Sequence, residues 1–126
     1  MKIVKEMELP EDKHPGRFIK WLASEKILDA KKMSVCIVRL LAGETVTPPH
    51  SHPDGEEFIF ILEGKGRVMV DEEVSPLEIG DGVLFPRNSI HMLQNNGTEE
   101  LKVICFFSPP ADPSVYKYHE GIDFPD

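Results

Sequence analysis

Residues 43–64 read Gly-Glu-Thr-Val-Thr-Pro-Pro-His-Ser-His-Pro-Asp-Gly-Glu-Glu-Phe-Ile-Phe-Ile-Leu-Glu-Gly. His50 and His52 are two residues apart, so on an extended backbone both imidazoles point to the same face. Glu57 follows a turn at residues 53–55 and opens an apolar run, residues 58–62, with the length and composition of a buried strand. Two imidazoles and a carboxylate from adjacent strands form a partial shell for a divalent metal ion.

A second stretch supplies a fourth candidate ligand. Residues 80–95 read Gly-Asp-Gly-Val-Leu-Phe-Pro-Arg-Asn-Ser-Ile-His-Met-Leu-Gln-Asn, and His91 follows a turn at residues 86–89. A lone His or Glu in a strand is more often a hydrogen-bonded core residue than a ligand. Four such residues at this spacing favour metal binding instead.

The two stretches resemble the paired motifs of the cupin superfamily. The first motif is Gly, His-x-His, three or four residues, Glu, six residues and Gly, which correspond here to Gly43, His50, His52, Glu57 and Gly64. The second is Gly, five residues, Pro-x-Gly, two residues, His, three residues and Asn, which correspond to Gly80, Pro86, Asn88, His91 and Asn95. Six residues rather than the usual five separate Gly43 from His50, and Asn88 stands where the family prefers Gly. Asn tolerates positive φ, so we expect the turn to survive.

This resemblance covers about residues 33–108, and what it implies can be stated residue by residue. It implies an all-β fold, the double-stranded β-helix or jelly-roll cupin barrel, with metal ligands His50, His52, Glu57 and His91. Glu56 competes with Glu57 as the carboxylate ligand, but only Glu57 lies six residues before Gly64 and begins the strand. Asn95 is expected to hold a turn or orient a neighbouring strand rather than bind metal.

Three imidazoles and one carboxylate favour Fe(II), Mn(II), Ni(II), Co(II) or Zn(II) over Ca(II), which prefers oxygen ligands alone. We expect one such ion per chain, with two open octahedral positions for a small-molecule substrate. An apolar wall of Ile59, Ile61, Val103 and Phe107 would keep water scarce around the ion.

Two kinds of function remain open. One is a metal-dependent enzyme on a small oxygenated molecule, either a dioxygenase or a Lewis-acid isomerase or lyase. The alternative is a non-catalytic small-molecule or sugar-binding module, which would usually need an attached effector domain. Small cupins of this type include dioxygenases, isomerases and many proteins with no known reaction, so the choice stays open.

Three further polar residues could have supporting roles in substrate binding. Arg39, Arg87 and Gln94 are candidates for anchoring a substrate, although a surface or structural role is favoured for each. His14 and His119 lie in polar loops that contain Pro and Gly, and they are assigned no role.

Short apolar runs between Gly, Pro and Asn predict the remaining strands. The predicted strands are residues 17–22, 33–41, 45–47, 57–62, 67–70, 74–77, 83–85, 91–94 and 101–107. For the first of them, a helical turn at residues 21–26 is the alternative. Residues 2–7 are predicted to form a short extended arm, and residues 95–97 carry a hairpin signal. The tail after residue 110 is too irregular for a sheet strand, but its aromatic residues suggest that it packs across the barrel surface or an opening.

The two-residue period of a strand predicts which side chains point inward. If Glu57 points inward, so do Ile59 and Ile61, while Phe58, Phe60 and Leu62 point outward. On the last strand, Leu101, Val103, Cys105 and Phe107 are predicted to face the interior. Three large apolar side chains on an outer face require a cover, which is either the second sheet or a partner subunit. Because cupins commonly pair through a sheet face, we expect a homodimer.

Composition bounds the class of protein. The chain has 126 residues and a net charge of −8, which indicates one domain and argues against nucleic acid and anionic membranes as partners. Cys36 and Cys105 lie in apolar runs and are expected to be small buried residues rather than a disulfide or a nucleophile. The charged N-terminus does not resemble a signal peptide, and no apolar run reaches membrane-spanning length, so a cytoplasmic protein is expected.

Overall fold

Alternating apolar and polar residues fold into two antiparallel sheets in the computed structural model, which describes residues 1–125. One sheet has six strands and the other has five, and the apolar side chains between them form the core. Within residues 1–125, no helix is long and apolar enough to cross a membrane. This architecture is the predicted all-β jelly-roll barrel.

The six-stranded sheet has the order β1-β2-β3-β10-β5-β8. Its strands are β1 (Asp12–His14), β2 (Arg17–Ala23), β3 (Ser34–Leu40), β5 (Glu56–Glu63), β8 (Gly82–Phe85) and β10 (Leu101–Ser108). The last of these in the chain, β10, lies between β3 and β5 and pairs with both along most of its length.

The five-stranded sheet has the order β11-β4-β9-β6-β7. Its strands are β4 (His50–Ser51), β6 (Lys65–Val70), β7 (Glu73–Glu78), β9 (His91–Gln94) and β11 (Lys117–Tyr118). Pro76 lies on β7, the edge strand, where the missing N–H of proline is tolerated. Short 3-10 turns at Glu6–Glu8 and Pro113–Val115 complete the regular structure of the described residues.

The predicted inward and outward faces are confirmed. Glu57, Ile59 and Ile61 are buried, whereas Phe58, Phe60 and Leu62 on the same strand are 37–38% exposed. The four predicted inward residues of the last strand, Leu101, Val103, Cys105 and Phe107, are all at most 3% exposed. Inward side chains from both sheets therefore form one continuous core.

Three local predictions were wrong or incomplete. The extended arm predicted at residues 2–7 runs into the 3-10 turn Glu6–Glu8. The tail contains a strand after all, because β11 pairs with β4. Residues 45–47 contribute only an isolated bridge between Thr45 and Gln94.

The hairpin signal at residues 95–97 was also misleading, because the flanking strands β9 and β10 belong to different sheets. Asn95 is fully buried, and its Nδ2 donates to the carbonyl oxygens of Leu40 and Glu99. Its Oδ1 accepts from the N–H of Gly97 at 3.0 Å. The side chain thus turns the chain from one sheet to the other, in agreement with the structural role expected for Asn95.

Candidate metal centre

His50 and His91 are brought together by strand pairing. They are directly opposite each other on β4 and β9, and both are buried. The turn before β9 follows the prediction, because Asn88 adopts a φ of +66° at the position where the family prefers Gly. Asn is among the residues that enter this region most readily, so the departure from the motif leaves the turn intact.

His52 and Glu57 complete the cluster from the two ends of the loop between β4 and β5. Glu57 is only 5% exposed and His52 4%, whereas the competing Glu56 is exposed. Three atoms form a small triangle. His52 Nε2 lies 2.8 Å from Glu57 Oε1 and 3.1 Å from His91 Nε2, and His91 Nε2 lies 3.3 Å from Glu57 Oε1. The structure therefore brings all four sequence-predicted residues together, with one ligand atom of each within 4.8 Å of the others.

These distances fit a coordination shell. A transition metal with bonds of about 2.1 Å separates neighbouring octahedral ligands by about 3 Å, close to the three distances in this triangle. Within residues 1–125, Nδ1 of His50 and Nδ1 of His52 are buried and have no hydrogen-bond partner. The short distances among His52 Nε2, His91 Nε2 and Glu57 Oε1, rather than these two Nδ1 atoms, indicate that the residues present could hold a metal ion.

Protonation states also suit metal binding. Burial raises the pKa of the Glu57 carboxyl, but hydrogen bonds from His52 and His91 outweigh this effect and hold the pKa well below its usual range. Burial, reinforced by the neighbouring His91, lowers the pKa of His50 well below that of a free imidazole. An ionised carboxylate and a neutral imidazole are the forms that bind metal ions.

Ring stacking fixes the orientation of two imidazoles. Phe85 stacks on His91 with centroids 4.0 Å apart, and Tyr116 stacks on His50 at 4.6 Å. The remaining nitrogen of His91, Nδ1, lies 3.2 Å from the carbonyl oxygen of Ser89. When Nδ1 donates to this oxygen and Nε2 carries no proton, Nε2 can bind a metal ion in place of its hydrogen bond to Glu57.

A cavity of about 40 Å³ adjoins the cluster, roughly three times the space that one buried water needs. Of the predicted apolar wall, Ile59, Val103 and Phe107 line this cavity, whereas Ile61 is packed deeper in the core. The free thiols of Cys36 and Cys105 lie opposite each other on β3 and β10 and contribute to the same wall. The cavity can therefore hold only a small ligand in this conformation.

The sequence profile of the cupin domain matches residues 36–107. The chain belongs to the cupin family. Among its relatives are the protein SchB of Streptomyces halstedii, 30% identical over 82% of this chain and 75% of its own length, and an uncharacterised protein of Methanocaldococcus jannaschii, 32% identical over 75% of each. Among solved structures, a predicted oxalate decarboxylase of Thermotoga maritima has a TM-score of 0.77 at 19% identity, covering 85% of this chain and 98% of that one. The polyketide cyclase RemF of Streptomyces resistomycificus has a TM-score of 0.76 at 18% identity, covering 94% and 84%.

The three residues considered for substrate anchoring lie away from the cavity of this cupin. Arg39 pairs with Glu11 and Glu100 on the outside of the six-stranded sheet. Arg87 donates to the carbonyl oxygen of Pro53. Gln94 bonds to the side chains of Arg67 and Thr45. Each side chain has a structural partner, and none lines the cavity.

Sequence reasoning missed Tyr116, which comes from the tail. Ser34 Oγ holds the start of the tail by accepting from the N–H of Ala111 and donating to its carbonyl, while β11 holds the end against β4. Between these two anchors, Tyr116 covers His50 and lines the cavity. The aromatic content of the tail predicted packing across an opening, and the structure confirms it, but no motif singled out Tyr116.

Sequence reasoning also missed Arg17, whereas His119, to which it assigned no role, is no part of the cluster. Arg17 begins β2, shares its inward face with Ile19 and lines the cavity. The available signal was a charged residue two positions before an apolar one in a predicted strand, but nothing in the sequence says which face of that strand points inward. His119 lies outside the metal cluster, with its Nε2 2.9 Å from Ser51 Oγ on β4.

Proposed function

We propose that this cupin is a metal-dependent enzyme acting on a small oxygenated molecule, with His50, His52, Glu57 and His91 holding one divalent transition-metal ion. The observation that carries the proposal is the triangle of His52 Nε2, His91 Nε2 and Glu57 Oε1, with sides of 2.8, 3.1 and 3.3 Å. The mixed nitrogen and oxygen set suits Fe(II), Mn(II), Ni(II), Co(II) or Zn(II). When bound, such an ion would supply Lewis acidity or activate O₂.

The residues of the chain would bind and orient the substrate beside this cluster. The stacked rings of Phe85 and Tyr116 restrict the imidazoles, so little reorganisation is needed at the reacting centre. The apolar walls limit the water that shares the cavity. Two proteins of similar fold, a polyketide cyclase and a predicted oxalate decarboxylase, support the Lewis-acid branch of the proposal.

The metal assignment is tested by elemental analysis of protein purified without a metal-binding tag. We expect one transition-metal ion per chain, and His91→Ala should lower metal affinity at least about tenfold. His14→Ala is the matched control, because His14 lies in β1 outside the cluster and should leave the affinity unchanged. Unchanged metal binding in His91→Ala would refute the ligand assignment.

The reaction class is tested by oxygen uptake of the Fe(II)-loaded protein with catechols and diketones. Consumption of O₂ that depends on His91 supports the dioxygenase branch. If no O₂ is consumed with any of these compounds, the Lewis-acid branch remains and is examined by following isomerisation or carbon–carbon cleavage without O₂. A protein that binds such compounds but leaves them unchanged in both assays is the non-catalytic binding module instead.

We also propose that two copies pair through the outer face of the six-stranded sheet. Large apolar side chains from three adjacent strands lie there and are 37–50% exposed, namely Phe58, Phe60, Leu62, Leu84 and Phe106. A second copy would remove this surface from water. Light scattering should give twice the mass of one chain, and Phe60→Lys should reduce it to one, whereas Val74→Lys on β7 should not. A monomeric wild-type protein would refute the pairing. The cytoplasm remains the proposed location, which suits the two free buried thiols.

A further inference from the structure

Arg17 is a buried positive charge without an ionic partner. Its side chain lines the cavity, and the residue is only 6% exposed. Nη1 donates to the carbonyl oxygen of Pro15 at 3.0 Å, which is the one hydrogen bond that the guanidinium makes within residues 1–125. In the same residues, no carboxylate oxygen lies within 4.0 Å of it. Most of the five N–H donors of Arg17 therefore remain available.

Strand pairing and a close backbone contact hold Arg17 at this position. Arg17 pairs with His14 across the two-residue loop Pro15-Gly16, residues that a type II turn prefers. Gly16 adopts a φ of +78° and lies directly against the Thr45 carbonyl. The first inward position of β2 is therefore fixed at the cavity, and Arg17 occupies it.

Burying an arginine in this way is costly unless an anion compensates for the lost hydration. Arginine remains charged under all ordinary conditions, so it cannot escape the cost by losing a proton. Arg39 illustrates the usual solution, because it forms ion pairs with both Glu11 and Glu100. Arg17 has no such pair in the described protein, and it lines a cavity with room for a small ligand.

Tyr116 offers a second polar group to the same cavity. Its ring stacks on His50, and its hydroxyl makes no hydrogen bond within residues 1–125. A phenol is protonated at neutral pH, so the hydroxyl can donate a hydrogen bond. The cavity thus combines a guanidinium, a phenol and the His/Glu cluster.

We propose that the substrate is a small carboxylic acid, whose carboxylate is bound by Arg17 and whose remaining oxygen atoms face the His/Glu cluster. This inference deepens the proposed function and rests on it. Guanidinium and carboxylate match as a planar, two-pronged pair, and Arg favours such anions over neutral groups. The cavity volume of about 40 Å³ restricts the acid to a few non-hydrogen atoms unless the tail moves.

The test measures binding rather than turnover. Metal content of the wild type, Arg17→Gln, Arg17→Lys and Arg67→Gln proteins is determined first. Arg67 is the control, because it lies on β6 and does not line the cavity. Calorimetry then gives the affinity of each metal-loaded protein for glycolate, oxalate and malonate, with glycolamide as the uncharged counterpart of glycolate.

We expect Arg17→Gln to bind the best of these acids at least about tenfold more weakly than the wild type, since hydrogen bonds to charged groups are strong. The acid affinity of Arg17→Lys should lie between those of Arg17→Gln and the wild type, because lysine keeps the charge but loses the two-pronged geometry. The acid affinity of Arg67→Gln should match that of the wild type. The affinity for glycolamide should be the same in Arg17→Gln and in the wild type. Metal content should be equal in all four proteins.

Two results would overturn the inference while leaving the metal site intact. One is equal acid affinity in Arg17→Gln and wild type, which means that the anion binds without Arg17. The other is a metal-loaded wild type that binds none of the acids saturably. A wild type that binds no metal refutes the proposed function instead. In that case the same acids are tested for thermal stabilisation of the metal-free protein, and only stabilisation that is lost in Arg17→Gln sustains the anion site.

Discussion

Gly16→Ala tests the link between backbone packing and the cavity. A Cβ atom at Gly16 would overlap the carbonyl oxygen of Thr45 and come within 2.5 Å of its carbonyl carbon. Both are backbone atoms, so no side-chain rotation can relieve the overlap, and the β1–β2 hairpin must shift. The residue also has a φ of +78°, where a Cβ atom is strained.

Gly43→Ala is the matched control, because Gly43 has a similar φ of +82° but a Cβ there would meet nothing within 4 Å. The strain of positive φ costs about 1 kcal/mol in both variants. Overpacking against Thr45 adds about 2 kcal/mol in Gly16→Ala alone. We therefore expect the free energy of unfolding to fall by about 3 kcal/mol in Gly16→Ala and by about 1 kcal/mol in Gly43→Ala.

Urea denaturation followed by circular dichroism measures both values, with m-values as the check on two-state behaviour. In thermal unfolding, the midpoint temperature should fall by about 12 °C in Gly16→Ala and by about 4 °C in Gly43→Ala. Because the hairpin carries Arg17, Gly16→Ala should also weaken acid binding, and Gly43→Ala should not. Equal destabilisation by the two substitutions would show that the close contact at Thr45 has no energetic consequence, and the reasoning would fail.

Other substitutions should have effects that depend on whether the residue lies at the cluster, at the cavity or on the surface. Glu57→Gln should lower metal affinity at least about tenfold, whereas Glu56→Gln on the exposed face should not, as measured by competition with a chelator. In metal-free protein, Glu57 has a depressed folded-state pKa, so its stabilising contribution is fully present above about pH 4.3 and declines as the pH falls. Chemical denaturation should be measured from about pH 3 to about pH 6, a range that brackets the pKa of a free Glu. As the pH falls, the free energy of unfolding should decline less steeply in Glu57→Gln than in the wild type, and equal slopes would contradict this. Tyr116→Ala should admit larger acids to the cavity than Tyr116→Phe does, which calorimetry can compare. Cys36 and Cys105, both buried, should resist iodoacetamide until urea unfolds the protein, as mass spectrometry can verify; labelling of the native protein would contradict this.

The strands of the barrel were predictable because each has a strong local signal. On β5, the alternation from Glu57 to Leu62 fixes the inward face once the inward direction of Glu57 is assumed. The spacing of His50, His52 and His91 likewise identified residues that the structure places side by side. The alternation depends on local backbone geometry, which the sequence encodes directly. His91 lies far from His50 in the sequence, and the resemblance to the paired cupin motifs, rather than a local pattern, predicted that the two residues meet.

Other features depend on contacts between distant segments, and no local pattern encodes them. Asn95 carries a hairpin signal, but its side chain bonds to Leu40, 55 positions away, and the chain crosses to the other sheet. Tyr116 reaches His50 because Ser34 anchors the start of the tail and β11 anchors its end against β4. Arg17 lies at the cavity because the hairpin before it rests on Thr45. Such placements are set by tertiary packing, so they emerged only from the structure.

The position of β10 has a consequence for the order in which the molecule can assemble. Leu101 is opposite Leu40, and Phe107 is opposite Glu57, so the two strands on either side of β10 precede it by dozens of residues. Until β10 is synthesised, β3 and β5 each present an unpaired backbone edge that is open to association with other chains. Closure of the barrel, and with it the enclosure of the four clustered side chains, must therefore be a late event during translation, after a stage in which the nascent chain is most vulnerable to aggregation.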